Sequence, residues 1–243
     1  MMRIFALIFL SVVIAPSAQA KLTVDISEPV LEITTGFTGD NLTLFGTADP
    51  MGDIVIVVRG PRNDTVVRRR KDIAGLWINS ESMTFKNVPG YYNVASSKPM
   101  AEIASQDTRL ANRLGINSLT FKAEDEVSAE KYNRFLEALI QNKQLSNLYS
   151  LTPDAITLLG GQLFKTRIYM PSNVPLGYYE IRAYLFQDGM LVDQTSHPFA
   201  IKQVGVAATV HDFAFDEPFL YGLSVILMAL ISSIMAVLLL RRD

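Results

Sequence analysis

Hydrophobic positions along the chain fall into distinct regimes. Residues 4–20 and 219–240 contain no Asp, Glu, Lys or Arg. Between them, apolar residues mostly recur at strand spacing, with a helical interval near 99–146. Residues 22–26 and 30–34 are β-branched and half alternating, and Gly36 with residues 38–41 marks a turn. Residues 42–45 continue as strand, and residues 49–52 turn again. Ile54 to Val58 is apolar without interruption, as expected of a strand buried on both faces. Gly60-Pro61 ends it, and residues 65–67, Trp77-Ile78 and residues 83–85 carry the pattern onward. Turn signals roughly every 8–12 residues predict an immunoglobulin-like β-sandwich.

Over 99–146 the period changes. Met100, Ile103, Ala104, Leu110 and Leu114 keep an uneven helical spacing. Tyr132, Phe135, Leu136, Leu139 and Ile140 make one apolar stripe, with Glu130, Lys131, Arg134, Glu137 and Lys143 mostly off it. A polar face of mixed sign does not suit anionic lipid, so this helix is expected to pack on the body. Residues 155–210 return to β. Phe164 to Met170 alternates, Tyr179 to Phe186 alternates, and Asp188-Gly189 is a hairpin signal before residues 190–192. Residues 199–201 and 204–210 are expected to lead on in the same manner. The predicted fold is mainly β: a sandwich body with an α-helical insertion and one C-terminal transmembrane helix. Whether the two β regions make one sandwich or two stays open at this level.

The two uncharged ends read as export and anchoring. Arg3, the short apolar run from Ile4 to Ile14, Pro16 and Ala18-Gln19-Ala20 form the pattern of a cleavable signal, with the mature chain beginning at Lys21. Phe219 to Leu240 is long enough to cross a bilayer. Arg241 and Arg242 follow it and belong on the cytoplasmic side. Asp212, Asp216 and Glu217 stand on the other side, with Tyr221 placed as an interfacial anchor. The expected order is a signal at 1–20, a periplasmic body at 21–218, a membrane helix at 219–240 and a cytoplasmic tail at 241–243, too short for inward signalling.

Composition sharpens this picture. The 243 residues are 49% hydrophobic, with a mean hydropathy of +0.22, and the apolar excess sits in the two ends. Setting aside Arg3, Arg241, Arg242 and Asp243 leaves 19 basic against 23 acidic residues in the body, net −4. That argues against nucleic acid as the main partner. The chain has no cysteine, which excludes disulfides, thiolate metal sites, a cysteine nucleophile and lipoprotein processing. It favours a bacterial periplasm over a eukaryotic exterior.

Catalytic chemistry is hard to find in the residues. His197 and His211 are the two histidines, and neither sits in a metal-ligand pattern. No nucleophile elbow, phosphate loop or dinucleotide glycine pattern occurs. Gly160-Gly161 reads as a turn, and Ser80 and Ser82 lack a His/Asp pairing. Glu124, Asp125 and Glu126 suit the positive end of the helix that follows. No enzyme, cofactor or metal is expected. The densest charge cluster is Arg59, Arg62, Arg68, Arg69, Arg70 and Lys71, interspersed with Asp64 and Asp72. At hairpin spacing Arg59 and Arg62 would meet Arg68 and Arg70. The cluster is a candidate surface for an anion, an acidic partner or lipid headgroups, against the plainer reading of a solvated hairpin.

A set of segments carries a family likeness. It comprises TTGFTG at 34–39, DIVIVVRGP at 53–61, VRRRK at 67–71, GLWIN at 75–79, VPGYY at 88–92, ASS at 95–97, LFKTR at 163–167, PSNVP at 171–175 and YLFQDG at 184–189. Together they resemble a family of alphaproteobacterial transmembrane proteins built from a signal peptide, a periplasmic body and one C-terminal helix. The family has no assigned activity, so the resemblance implies no catalytic residues. It implies a permease similar to sulfite exporters as a gene neighbour, and hence as a partner by association.

The functional expectation is a non-enzymatic, single-pass module of the bacterial inner membrane that assists a membrane partner. The alternative is a periplasmic oxyanion-binding or envelope-sensing domain. Gly222, Ser224, Ser232 and Ser233 would permit the membrane helix to pack against another.

Overall fold

The structure, a computed structural model, describes residues 21–240 apart from Thr35 and Ala74. At 70–73, 76–79, 206–208, 212 and 238–240 it describes the backbone alone. The predicted signal at 1–20 and tail at 241–243 lie outside the described residues. The chain opens with β1 (Lys21–Ile26), β2 (Val30–Ile33), β3 (Gly39–Asp49) and β4 (Asp53–Arg59). A long hairpin follows, β5 (Arg62–Ile73) and β6 (Leu76–Pro89), then β7 (Tyr92–Ser96). The helical interval holds α1 (Met100–Ile103), α2 (Gln106–Asn112), a 3-10 turn at Ile116–Ser118, β8 (Lys122–Ala123) and α3 (Ala129–Leu145). Strands then resume as β9 (Asp154–Ala155), β10 (Thr157–Leu159), β11 (Leu163–Pro171), β12 (Gly177–Gln187) and β13 (Met190–Gln203). Two helices, α4 (Val206–Asp216) and α5 (Pro218–Leu240), close the described chain.

The body is mainly β and has three layers. One sheet runs β1-β3-β11-β10, and the central sheet runs β2-β13-β12-β4-β7-β9. Strands from early and late in the chain therefore share both sheets. The third layer is the β5-β6-β8 sheet together with α1, α2 and α3. Two cores result. Leu22, Val24, Leu44, Phe164 and Ile168 of the first sheet meet Ile54, Ile56, Val58, Ile181 and Leu185 of the central sheet. On the other face, Val55, Val57, Tyr92, Val94, Tyr184 and Phe186 meet Val67, Phe85, Ile103, Leu114, Phe135 and Leu139 of the outer layer. Successive residues of a strand point to opposite faces, so a strand covered on both sides must be apolar throughout. That is why β4 reads Ile-Val-Ile-Val-Val.

Close packing also dictates a glycine. Gly46 of β3 lies opposite Phe164 of β11. A Cβ there would stand 2.1 Å from the Thr23 carbonyl oxygen and 2.4 Å from the Phe164 ring. Tyr179, at the start of β12, donates its hydroxyl to the carbonyl of Pro175 in the connection from β11.

Residues 65–67 lie in the strand that follows Gly60-Pro61, β5, which is one continuous strand of 12 residues and turns into β6 at Gly75, which holds a φ of 81°. One sequence expectation needs correction. Residues 206–210 do not continue the β pattern. Gly205, at φ 104°, turns the chain into α4, whose Val210 and Phe215 are exposed. Phe213 of α4 packs edge-on against Tyr221 of α5 at 5.9 Å. The apolar window Pro218–Val237 is long enough to cross a membrane, and none of it is buried against the body.

Candidate functional site

The arginines of the charge cluster separate into different environments. Arg59 ends β4 and is buried, 8% exposed. Its guanidinium donates to the carbonyl of Asn112 at 3.1 Å and reaches that of Arg113 at 3.5 Å, so it closes the C-terminus of α2 and takes no part in a surface patch. Arg62 and Arg68 lie six positions apart on β5. At about 3.3 Å per residue they cannot converge as a short hairpin would bring them. Arg68 faces Ser82 and Arg69 faces Glu81 across the hairpin, and Arg70 faces Asn79. The side chains of Arg70 and Lys71 lie outside those described.

Arg68 and Arg69 do share a hollow of about 380 Å³ with Arg134 and Phe135 of α3. Carboxylates thin out its positive charge. Arg69 stands 3.8 Å from Glu81, which also takes Lys131 at 3.6 Å, and Arg134 stands 3.7 Å from Glu130. Among the described residues, Arg68 pairs with no carboxylate.

The remaining polar candidates are dispersed. His197 of β13 lies 3.6 Å from Asp25, and His211 of α4 stacks near Phe215. No group of three His, Cys, Asp or Glu side chains placed to hold a metal occurs among the described residues. Glu124 does not serve the N-terminus of α3. That end is capped by Ser128, which accepts from the Lys131 amide. Glu124 is held instead by Lys86, at 2.8 Å, and Lys86 also binds Asp64 at 2.9 Å. The ion contacts lower the pKa of both carboxyls. Ser80 donates to the carbonyl of Arg69.

A site that no sequence motif announced lies at the edge of the central sheet. β7 reads Tyr-Asn-Val-Ala-Ser and is buried throughout. Tyr92 and Val94 face the outer core, so Asn93 points the other way. Its Nδ2 donates to the Asp154 carboxylate at 3.0 Å. Its Oδ1 is buried and has no hydrogen-bond partner among the described residues. Asp154 sits on β9, paired parallel to Ala95. The chain leading to it follows β7: the Tyr92 amide donates to Leu148 and the Ser150 amide to Tyr92. Residues 151–153 then arch away and leave Leu151 exposed.

Above Asn93 and Asp154 opens a cleft of about 580 Å³. Tyr91, Tyr149 and Tyr169 line it, with Gln141 and Gln144 of α3 and Asn147. The tyrosines are pinned: Tyr91 donates to the Tyr169 carbonyl at 2.8 Å, and Tyr149 to that of Pro89 at 2.7 Å. Burial raises the pKa of the Asp154 carboxyl, against the lowering effect of the Asn93 donor. Burial also raises the Tyr91 hydroxyl, with the charge of Asp154 adding to the effect. Leu151 and Asp154 border a second hollow of about 550 Å³, which reaches Lys98 and Arg109. A lone Asn inside an otherwise apolar or small-residue strand was the available signal, since a polar side chain in a buried strand requires a partner.

The family model described as putative transmembrane protein (Alph_Pro_TM) matches residues 21–242, from the first described strand through the membrane helix. No curated protein matches the chain.

Proposed function

From the premise that the chain belongs to this transmembrane family, we propose that it is a single-pass protein of the bacterial inner membrane whose β body works in the periplasm as a non-enzymatic accessory to a membrane partner. The observation that carries this reading is α5: an uncharged apolar helix long enough to cross a bilayer, with no part buried against the body. Arg241 and Arg242 favour a cytoplasmic C-terminus. A permease similar to sulfite exporters is the first partner to test. Crosslinking in intact cells through a photoreactive residue at Ser232 or Ser233, with identification of the attached protein, is expected to recover an integral membrane protein. Recovery of self-adducts alone would remove the accessory role.

The strand order supports an immunoglobulin-like body. On that reading β1, β3, β11 and β10, neighbours in one sheet, would correspond to strands A, B, E and D, and β4, β12 and β13 of the central sheet to C, F and G, with β7 as C′. The Tyr179 bond to Pro175 has the character of a tyrosine corner at the start of strand F. On this reading the β5-β6 hairpin and the helical interval are insertions on either side of β7. A second reading, oxyanion binding, has the hollow at Arg68, Arg69 and Arg134 in its favour. A thermal-shift series with sulfite and sulfate tests it: no stabilisation at millimolar concentration would dismiss it.

A further inference from the structure

We propose that the cleft between α3 and the β7–β9 edge binds a small organic cation, a primary amine or guanidinium, with Asn93 Oδ1 and the Asp154 carboxylate as its acceptors. The site is built from the strand outward. Asn93 is 6% exposed, and its amide is oriented by its own bond to Asp154, which leaves Oδ1 as an acceptor without a donor among the described residues. A buried acceptor of that kind is costly unless something fills it. Asp154 is acceptor-only when ionised, and among the described residues it has no cationic partner. Lys98, which lines the adjoining hollow, is held by Asp53 at 2.9 Å. Arg109 belongs to that same hollow, outside the cleft.

The lining selects the sign and the kind of ligand. Among the described residues no Lys, Arg or His lines the cleft, and Asp154 is the one carboxylic acid there. Tyr169, 48% exposed, is the tyrosine of the lining that a cation can meet. One carboxylate and one amide oxygen are too few for a hard metal ion, which takes six or more oxygens. The volume suits a molecule rather than an ion. A saccharide would use the same ring but would leave the charge of Asp154 uncompensated.

The test uses the full chain in nanodiscs of zwitterionic lipid, titrated calorimetrically with agmatine, putrescine and, as a neutral polyol, maltose. Saturable binding of agmatine or putrescine is expected, weakened tenfold or more by Asp154→Asn. Gln141→Arg, an exposed helix substitution that sets a fixed cation at the mouth, is expected to weaken it as well and does not depend on the folding of the Asp154 variant. Arg68→Glu is expected to leave it unchanged. The proposal is overturned by the absence of saturable binding of either cation, by undiminished affinity in Gln141→Arg and folded Asp154→Asn, or by a response to maltose alone.

Discussion

Arg59 and Tyr92 are cross-strand partners on β4 and β7, and their side chains converge on the same short stretch of chain. Tyr92 donates its hydroxyl to the carbonyl of Arg113 at 2.8 Å and accepts the Gly115 amide at 2.9 Å. Arg59 donates to Asn112 at 3.1 Å. Arg113 is left-handed, with a φ of 53°, so α2 stops there and presents carbonyls that no intrahelical amide reaches. A cation and a phenol supplied by the central sheet take up these carbonyls, and the negative end of the helix favours the cation.

This pairing predicts unequal arginines. Arg59→Met is expected to cost about 2–3 kcal/mol, since it removes charged hydrogen bonds from a buried setting. Tyr92→Phe is expected to cost about 1–2 kcal/mol, and the double variant to deviate from additivity by about 0.5 kcal/mol or more, because both act on one segment. Arg62→Ala and Arg68→Ala, exposed on β5, are expected to stay within about 0.5 kcal/mol of the parent. Urea unfolding of the full chain in detergent measures all five. Equal effects at Arg59 and Arg68 would contradict the division.

Gly46→Ala is expected to destabilise by about 1–3 kcal/mol, as overpacking of a tight core does. The new methyl meets both the Thr23 carbonyl and the Phe164 ring. A smaller side chain at 164 relieves the second contact and not the first, so Phe164→Leu in the same chain is expected to rescue Gly46→Ala only in part. Thermal unfolding of the two single variants and the double checks this. Full rescue would mean that the backbone contact with Thr23 does not matter.

Much of the fold was legible because its signals are local. The unbroken apolar run of β4 named a strand covered on both faces, the alternation of Phe164 to Met170 named one covered on a single face, and Asp188-Gly189 named its hairpin. The charge cluster misled for a related reason. Sequence proximity joined Arg59 to Arg68, but Gly60 and Pro61 intervene between β4 and β5, and Arg59 turns into the protein toward a helix more than 50 residues away in sequence. Residues 204–210 misled because a short apolar run serves a strand and a helix alike, and Gly205 settles it only through its backbone. The cleft was invisible because Asn93 and Asp154 are 61 residues apart. Their meeting depends on the parallel pairing of β9 with β7, which no local pattern encodes.

Tyr179→Phe tests the bond at the connection between β11 and β12. The hydroxyl is partly buried and spans only four residues back to Pro175. Its removal leaves a carbonyl without its donor, an expected loss of about 1–2 kcal/mol. The ring contact with Phe199, 4.9 Å between centroids, is untouched, so near-ultraviolet circular dichroism is expected to persist while the urea midpoint falls. Loss of the aromatic signal would indicate a wider role in packing.

Lys86 predicts an acid-labile edge in the outer layer. It joins Asp64 of β5 to Glu124 just beyond β8, and the ion contacts lower both carboxyls and raise the lysine. A carboxyl lowered in the folded state contributes stability above its ordinary range and loses it as pH falls through the lowered value. A raised lysine contributes below its ordinary range and loses that as pH rises through its own folded value. The clamp is therefore complete between about pH 5 and 9. Asp64 and Glu124 are exposed and Lys86 is half-buried, so salt screens the cluster and the effect is local. Amide exchange at Phe85 and Ala123, the β6–β8 pairing, is expected to quicken relative to the central sheet below about pH 4, and molar salt or Lys86→Met is expected to flatten that dependence. Acid sensitivity unchanged in Lys86→Met would place its origin elsewhere.

The absence of cysteine makes the orientation directly measurable, because a single introduced thiol is the sole reactive one. Ser82→Cys lies at an exposed position on β6, and Asp243→Cys lies three residues beyond α5. In cells whose outer membrane alone is permeabilised, a membrane-impermeant maleimide is expected to label Ser82→Cys, and to label Asp243→Cys only after lysis. The reversed pattern would invert the orientation that Arg241 and Arg242 favour. Both variants are expected to stay in the membrane through carbonate extraction. Leu230→Arg with Ile231→Arg is expected to release a large fraction of the protein, since each central charge costs about 2.5–3.5 kcal/mol on the insertion scale. Full retention of that double variant would show that something other than α5 holds the body at the membrane.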